Sequence, residues 1–325
     1  MKTVLFLVTF LVALIPSMPL AQEEFVDAYN QGRDALSQNR LDEAIEFFNR
    51  ALKVDPQDHL AYNNRGVAYK RKGLYDKAIE DFNRALEIKP DYTLPLTNRG
   101  IARHKKGDLD GAIRDLTEAI KRSKKEGVAY TALGMVEKDK GNLDQAIKTL
   151  RQAIALNKKN IPAYQTLGEI YEKQGNLEKA VDEYMKVVDL AKKPENVPEV
   201  AERISQIRAT LAENYYKEGL SHYRQGNEKQ ALNYWTQALR IDPSHMQSLR
   251  DRGLTYYKSG KYQKALEDFD SALARDPGNA EIYRVRGDTN LRLKNPDRAL
   301  ADYSKSLELN PKDAVAYNNR GLVYH

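Results

Sequence analysis

The 325-residue chain contains no cysteine. That excludes disulfides, thiolate metal sites, a catalytic thiol and a lipidated N-terminal cysteine, and it is compatible with an oxidising compartment. Histidine is sparse as well. His59, His104, His222, His245 and His325 form no pair with one another or with a carboxylate at metal-ligand spacing in a repeated context. No phosphate-cradling glycine loop is present, and the paired carboxylates, such as Asp42-Glu43 and Glu80-Asp81, stand where acids favour a helix start or solvent. No catalytic chemistry, metal or cofactor is therefore expected. A dominant charge is missing too: 52 basic residues face 46 acidic ones, a formal +6 with both signs interleaved. Nucleic-acid binders more often carry a concentrated basic stripe. The doublets Lys105-Lys106, Lys121-Arg122 and Lys124-Lys125 read instead as solvent-facing turns, so no nucleic-acid partner is expected. Apolar residues make up 41%, enough to bury a core, which argues against wholesale disorder.

Long apolar runs are absent but for one. Val4 to Ile15 is an apolar run of 12 residues, interrupted only by Thr9, against the roughly 20 that span a bilayer. Lys2 precedes the run, Pro16 to Ala21 follows it, and Gln22-Glu23-Glu24 then turns acidic. This order reads as a secretory signal peptide over residues 1–21, with cleavage after Ala21 and an exported, periplasmic or secreted product. Pro19 occupies a place where a small residue is preferred, so an uncleaved N-terminal tether is the alternative. Once cleaved, no stable membrane span remains.

What is present is a repeat. Gly32, Gly66, Gly100, Gly134 and Gly168 stand 34 residues apart, and after a step of 51 the spacing resumes at Gly219, Gly253, Gly287 and Gly321. Twelve residues beyond each of the first eight glycines comes an alanine, from Ala44 to Ala299. Four further on is a bulky residue: Phe48, Phe82, Leu116, Leu150, Tyr184, Trp235, Phe269 or Tyr303. Proline closes many repeats, at Pro56, Pro90, Pro243, Pro277 and Pro311, while Lys124, Lys158 and Lys192 replace it in three. Tyr62, Gly66 and Tyr69 recur at helical spacing, as do Ala78, Phe82 and Ala85, with Gly73 between the two runs. Each repeat is thus a helical hairpin that buries both faces only when stacked.

With small residues at positions 8, 20 and 27, a large one at 24 and proline at 32, the chain resembles the tetratricopeptide-repeat family from Phe25 to His325, apart from one insertion. The resemblance implies an all-α, right-handed superhelical solenoid of antiparallel helix pairs. It also implies a non-catalytic scaffold that binds a protein or extended peptide in a concave groove. Repeats 1 to 5 occupy residues 22–194, and repeats 6 to 8 with a partial ninth occupy 212–325. Between them lies half a repeat, 195–211, in which Val200, Ile204, Ile207 and Leu211 share one helical face. This segment is expected either to cover repeat 5 as a separate helix or to run on into repeat 6. The partial repeat restarts at Ala314 and leaves Leu322, Val323 and Tyr324 without the helix they would pack on. Three readings apply: the last helix is itself a cap, the chain stops early, or the face is a pairing surface for self-association. An architectural subunit assembling through such surfaces is the alternative function.

The repeats act as their own comparison set. Arg65, Arg99, Arg252 and Arg286 stand at position 7 of the repeats that carry Asp81, Asp115, Asp268 and Asp302 at position 23. Repeats without the arginine carry other residues there, so structural ion pairs at hydrogen-bonding distance are expected. On the first helix of each hairpin, positions 2, 5, 9, 12 and 13 point away from the partner helix. Carried over from the family, these line the groove: Asn63 and neighbouring Asn64 in repeat 2, then Tyr216, Tyr223, Arg250, Tyr257, Arg284 and Arg292 in repeats 6 to 8. Tyrosine and arginine are favoured interface anchors and suit a partner with apolar and acidic groups. The family's grip on a chaperone's C-terminal carboxylate is not expected, because Tyr29, Arg33 and Leu94 stand where its pattern needs other residues.

Overall fold

The computed structural model describes residues 18–324. Of the signal peptide expected over residues 1–21, residues 1–17 lie outside the described residues, and the expected cleavage point after Ala21 falls inside the first helix. Among the described residues there are seventeen α-helices, one 3-10 turn and no strand. The chain forms two compact bodies, Met1–Ile170 and Tyr171–His325.

In the N-terminal body, α1 (Met18–Ser37) pairs with α2 (Leu41–Val54), α3 (His59–Arg71) with α4 (Tyr75–Ile88), α5 (Thr93–Lys106) with α6 (Leu109–Arg122) and α7 (Gly127–Lys140) with α8 (Leu143–Leu156). Helix α9 (Ile161–Lys173) crosses the boundary. The C-terminal body continues with α10 (Leu177–Ala191), the turn Pro194–Asn196 and α11 (Pro198–Arg224) against α12 (Glu228–Ile241). Helices α13 (Met246–Lys258) and α14 (Tyr262–Arg275), then α15 (Ala280–Arg292) and α16 (Pro296–Leu309), form the next pairs, and α17 (Ala314–Val323) packs on α16. Leu322 and Tyr324 are 64% and 72% exposed.

Local chemistry sets these boundaries. Asp58, Asn160, Asn279 and Asp313, all at the last position of a repeat, accept the amide hydrogen three residues on and cap the following first helix. Between the helices of a pair, position 15 takes a left-handed conformation. Glycine supplies it at Gly73 (φ +78°) and five equivalent places, whereas Asn39 (φ 59°) and Lys294 (φ 62°) adopt it with a side chain. Within each hairpin the small position 8 admits the bulky position 24: a Cβ added to Gly253 would sit 2.7 Å from the Phe269 ring. Ala265, Phe269 and Ala272 are fully buried around that contact.

The inserted half-repeat does not form a helix of its own. Pro198 starts α11, which runs 27 residues without interruption into repeat 6. Val200, Ile204, Ile207 and Leu211 are buried on one face. Arg203 donates from Nε to Glu172 Oε2 at 2.9 Å, and Tyr215 hydrogen-bonds Glu178, so α11 is fixed on both sides of the junction.

Candidate functional site

The four arginines of position 7 each reach in two directions. Arg65 donates Nε and Nη2 to Asp81 at 2.9 and 2.7 Å, and Nη1 to Asn49 of the preceding repeat at 2.7 Å. Arg99 does the same with Asp115 (2.8 and 2.6 Å) and Asn83 (2.6 Å). Arg252 holds Asp268 (3.0 and 2.6 Å) and Thr236 (3.0 Å). Arg286 binds Asp302 Oδ1 from Nη2 at 2.6 Å and Asp270 at 2.7 Å. The aspartates are nearly buried, at 3–5% exposure. Burial pushes the Asp81 and Asp268 carboxyls up, against the arginine hydrogen bonds that pull them down. These groups staple one repeat to the one before it and are unavailable to a ligand. The second partner went unseen in the sequence, although it lies at the same 16-residue stride: Asn49, Arg65, Asp81.

The free faces of the first helices are bridged by a second set of bonds. In the N-terminal body Asn64 donates to the Tyr29 hydroxyl at 3.0 Å, Asn63 to Asn64 Oδ1 at 3.3 Å, and Asn98 to Asn63 Oδ1 at 3.2 Å. Asn63, expected on the groove surface, is only 2% exposed and lies under this layer. In the C-terminal body the Tyr216 hydroxyl donates to Asp251 Oδ2 at 3.0 Å, while Arg250 Nε donates to Asp251 Oδ1 at 2.8 Å. Arg284 lies 3.2 Å from Asp313 and 3.8 Å from Asp288. Of the expected groove residues, then, Tyr216, Arg250 and Arg284 are tied to carboxylates.

Tyr223 and Tyr257 have another arrangement. Lys258 Nζ donates to the Tyr223 hydroxyl at 2.9 Å, and Arg292 stands beside Tyr257 at the equivalent place one repeat on. Each rung joins position 12 of one repeat to position 13 of the next. Arg224, Lys258 and Arg292 all occupy position 13, all are exposed, and among the described residues none has a carboxylate within 4.0 Å. The neighbouring position 14 behaves differently: Lys140 meets Asp110 at 2.6 Å, and Lys72 and Lys106 meet Asp42 and Asp76. The C-terminal body therefore presents consecutive cations without direct carboxylate contacts beside two tyrosines. Members 34 residues apart make no charge run in the sequence, which is why only Arg292 of the three was picked out there. Tyr223 also lies over Trp235, 5.7 Å between ring centroids.

Family models described as Tetratricopeptide repeat match residues 29–93, 216–280 and 250–314, and 161–194; one described as TPR repeat matches 134–175. The first of these alone accounts for about half of the chain. The chain belongs to the tetratricopeptide-repeat family. Such proteins are generally non-catalytic and bind proteins or peptides. Among solved structures, the chain is similar to MamA, with 26% identity, covering 54% of this chain and 95% of that one at a TM-score of 0.46. It is similar to a thermophilic tetratricopeptide-repeat protein of Thermus thermophilus at 25% identity, covering 55% and 97%, TM-score 0.48. It is also similar to YrrB, described as having an unusual peptide-binding site, at 19% identity, covering 63% and 97%, TM-score 0.33. No helix among the described residues of this tetratricopeptide-repeat protein is long and apolar enough to cross a membrane. Nor does any group of three or more histidine and carboxylate side chains there have metal-binding geometry.

Proposed function

We propose that the protein is a non-catalytic scaffold, exported to the periplasm or beyond, that holds an acidic protein segment on the free face of its first helices. The observation that carries this reading is the row Arg224, Lys258 and Arg292, exposed and without carboxylate partners, set against Tyr223 and Tyr257. Cations at the last turn of a helix also complement its dipole. Tyrosine beside a cation offers apolar area and directed hydrogen bonds at low entropic cost, as binding hot spots do. Export is supported by the order of charge, apolar run and small residues at the N-terminus.

The experiment is affinity capture from nuclease-treated envelope extract with the parent chain and a Tyr223→Ala/Tyr257→Ala/Arg292→Ala variant of equal thermal stability. A partner held by the parent and released by the variant is expected. Equal capture by both would move the function to other surfaces.

A further inference from the structure

The first helices also carry a cation that differs from its counterparts in other repeats. Position 12 holds a titratable side chain in four consecutive repeats: Lys70, His104, Lys138 and Glu172. Three of them have a partner of opposite type. His104 lies 2.7 Å from Asp139, Lys138 lies 2.6 Å from Glu169, and Glu172 accepts from Arg203 at 2.9 Å. Lys70 has none: among the described residues no carboxylate lies within 4.0 Å, and its hydrogen bond goes to Asn98 Oδ1 at 2.8 Å. The comparison with Lys138 is direct, because the two lysines are 68 residues, two full repeats, apart. Two repeats before Glu169, in the place that would answer Lys70, stands Ile101.

We propose that Lys70 anchors a carboxylate subsite, receiving an acidic side chain of an extended peptide laid across repeats 1 to 3; this rests on the scaffold reading above. Lys138 with Glu169 shows, inside the same chain, the ligand that fits a lysine at this position. An ammonium has three donors, and Asn98 takes one. The acceptor is itself fixed, since Asn98 donates to Asn63, Asn63 to Asn64 and Asn64 to Tyr29. With Asn63 almost fully buried, that chain has one arrangement, and Lys70 is held in place before any ligand arrives. The Tyr29 hydroxyl, an acceptor in this chain, keeps its own hydrogen for a peptide carbonyl. Burial, followed by repulsion from Arg71, pushes Lys70 down to about 8, the state of a cation that lacks a counter-ion. Lys138, which has one, is shifted upward: burial opposes its charge, but Glu169, with Asp139 at 3.6 Å, more than compensates.

The test uses the full chain and three six-residue probes measured by calorimetry. One alternates leucine and glutamate and is capped at both ends. The second has glutamine for glutamate. The third is the glutamine peptide with a free C-terminal carboxylate. A charge-assisted hydrogen bond predicts about tenfold or greater preference for the glutamate peptide over the capped glutamine one. All variants are made in the Tyr223→Ala/Tyr257→Ala/Arg292→Ala background, which disables the row of the other body and serves as the reference that keeps the preference. There Lys70→Met removes it, and Ile101→Glu removes it by supplying an internal carboxylate in the manner of Glu169. Preference surviving in Lys70→Met overturns the subsite, and it decides alone should Ile101→Glu fail to fold. Equal binding of both capped peptides, lost in the tyrosine variant, would leave the scaffold reading standing and remove the subsite. Absence of binding to all three would end both. Tight binding of the third probe equal to that of the first would replace a side-chain carboxylate by a chain terminus and so overturn the assignment made here.

Discussion

At the residue scale, Arg252 makes three hydrogen bonds from a guanidinium whose partner Asp268 is 3% exposed. Desolvation already works against the aspartate, so the pair is worth little compared with an apolar replacement of the same shape, but much compared with a broken pair. Asp268→Ala should therefore cost about 3–5 kcal/mol in urea unfolding, whereas Arg252→Met/Asp268→Leu should come within about 1 kcal/mol of the parent. A single aspartate deletion that costs nothing would contradict the clamp. These pairs were legible in the sequence because arginine and aspartate appear and vanish together across repeats. The third contact was not, since asparagine, threonine and aspartate all serve at that position. Lys70 was hidden for a different reason: what sets it apart is the Ile101 that a later repeat replaces with Glu169. Its titration gives a signed prediction. With the folded value depressed to about 8, the folded chain binds fewer protons than the unfolded one from there up to the ordinary lysine range. Stability contributed by Lys70 is present above that range and lost as pH falls through about 8. Arg71 on its own helix is the charged group that acts on it, and α5 faces it with Asn98. The difference in unfolding free energy between the parent and Lys70→Met should accordingly move in the parent's favour between pH 8 and 10.5; a difference constant across that window would count against the depressed value.

At the element scale, the helix ends were mostly readable, because glycine marks position 15 in six repeats. Asn39 takes the same left-handed turn as a residue type that tolerates it, and Lys294 takes it as one that rarely does. The insertion left two outcomes open in the sequence. No glycine or proline occurs from Glu199 to Glu218, so nothing stops a helix begun at Pro198, and α11 runs through the junction. The buried face of Val200, Ile204, Ile207 and Leu211 continues into the packing of repeat 6. A proline in the exposed interior of this helix, Ala209→Pro, should cost about 3 kcal/mol. Hydrogen exchange should speed up over 198–211 while α13 to α16 keep their protection. Uniform loss of protection across the C-terminal body would instead mean that α11 and the later repeats unfold as one cooperative unit.

At the scale of the whole molecule, period and fold class follow from the spacing of glycine and alanine alone, because stacking hairpins demands small residues at fixed places. The binding face was less accessible. Three of the eight side chains chosen from family geometry are tied to neighbouring carboxylates: Tyr216 and Arg250 to Asp251, Arg284 to Asp288 and Asp313. Which groove residue is free depends on contacts between repeats, and a single repeat's sequence does not contain them. A formal charge of +6 looked mild and evenly spread; in three dimensions the position-14 lysines of repeats 2 to 4 meet acids, whereas the position-13 cations of repeats 6 to 8 have no direct carboxylate contact. Association with an acidic partner should consequently weaken several-fold as ionic strength rises from about 0.05 to 0.5 M, mainly through a slower on-rate. Salt-independent binding would assign the affinity to the tyrosines.

The chain's single tryptophan lies in an informative place. Trp235 is 1% exposed, packed so closely on Gly219 that a methyl there would clash at 2.5 Å, with Tyr223 across its face. Excitation at the red edge of the protein absorption band thus addresses one indole, directly beneath one of the side chains proposed to hold the partner. The molecule carries a built-in optical reporter: a ligand that displaces Lys258 from Tyr223 alters the emission of Trp235, and occupancy of this face becomes readable in the unlabelled protein.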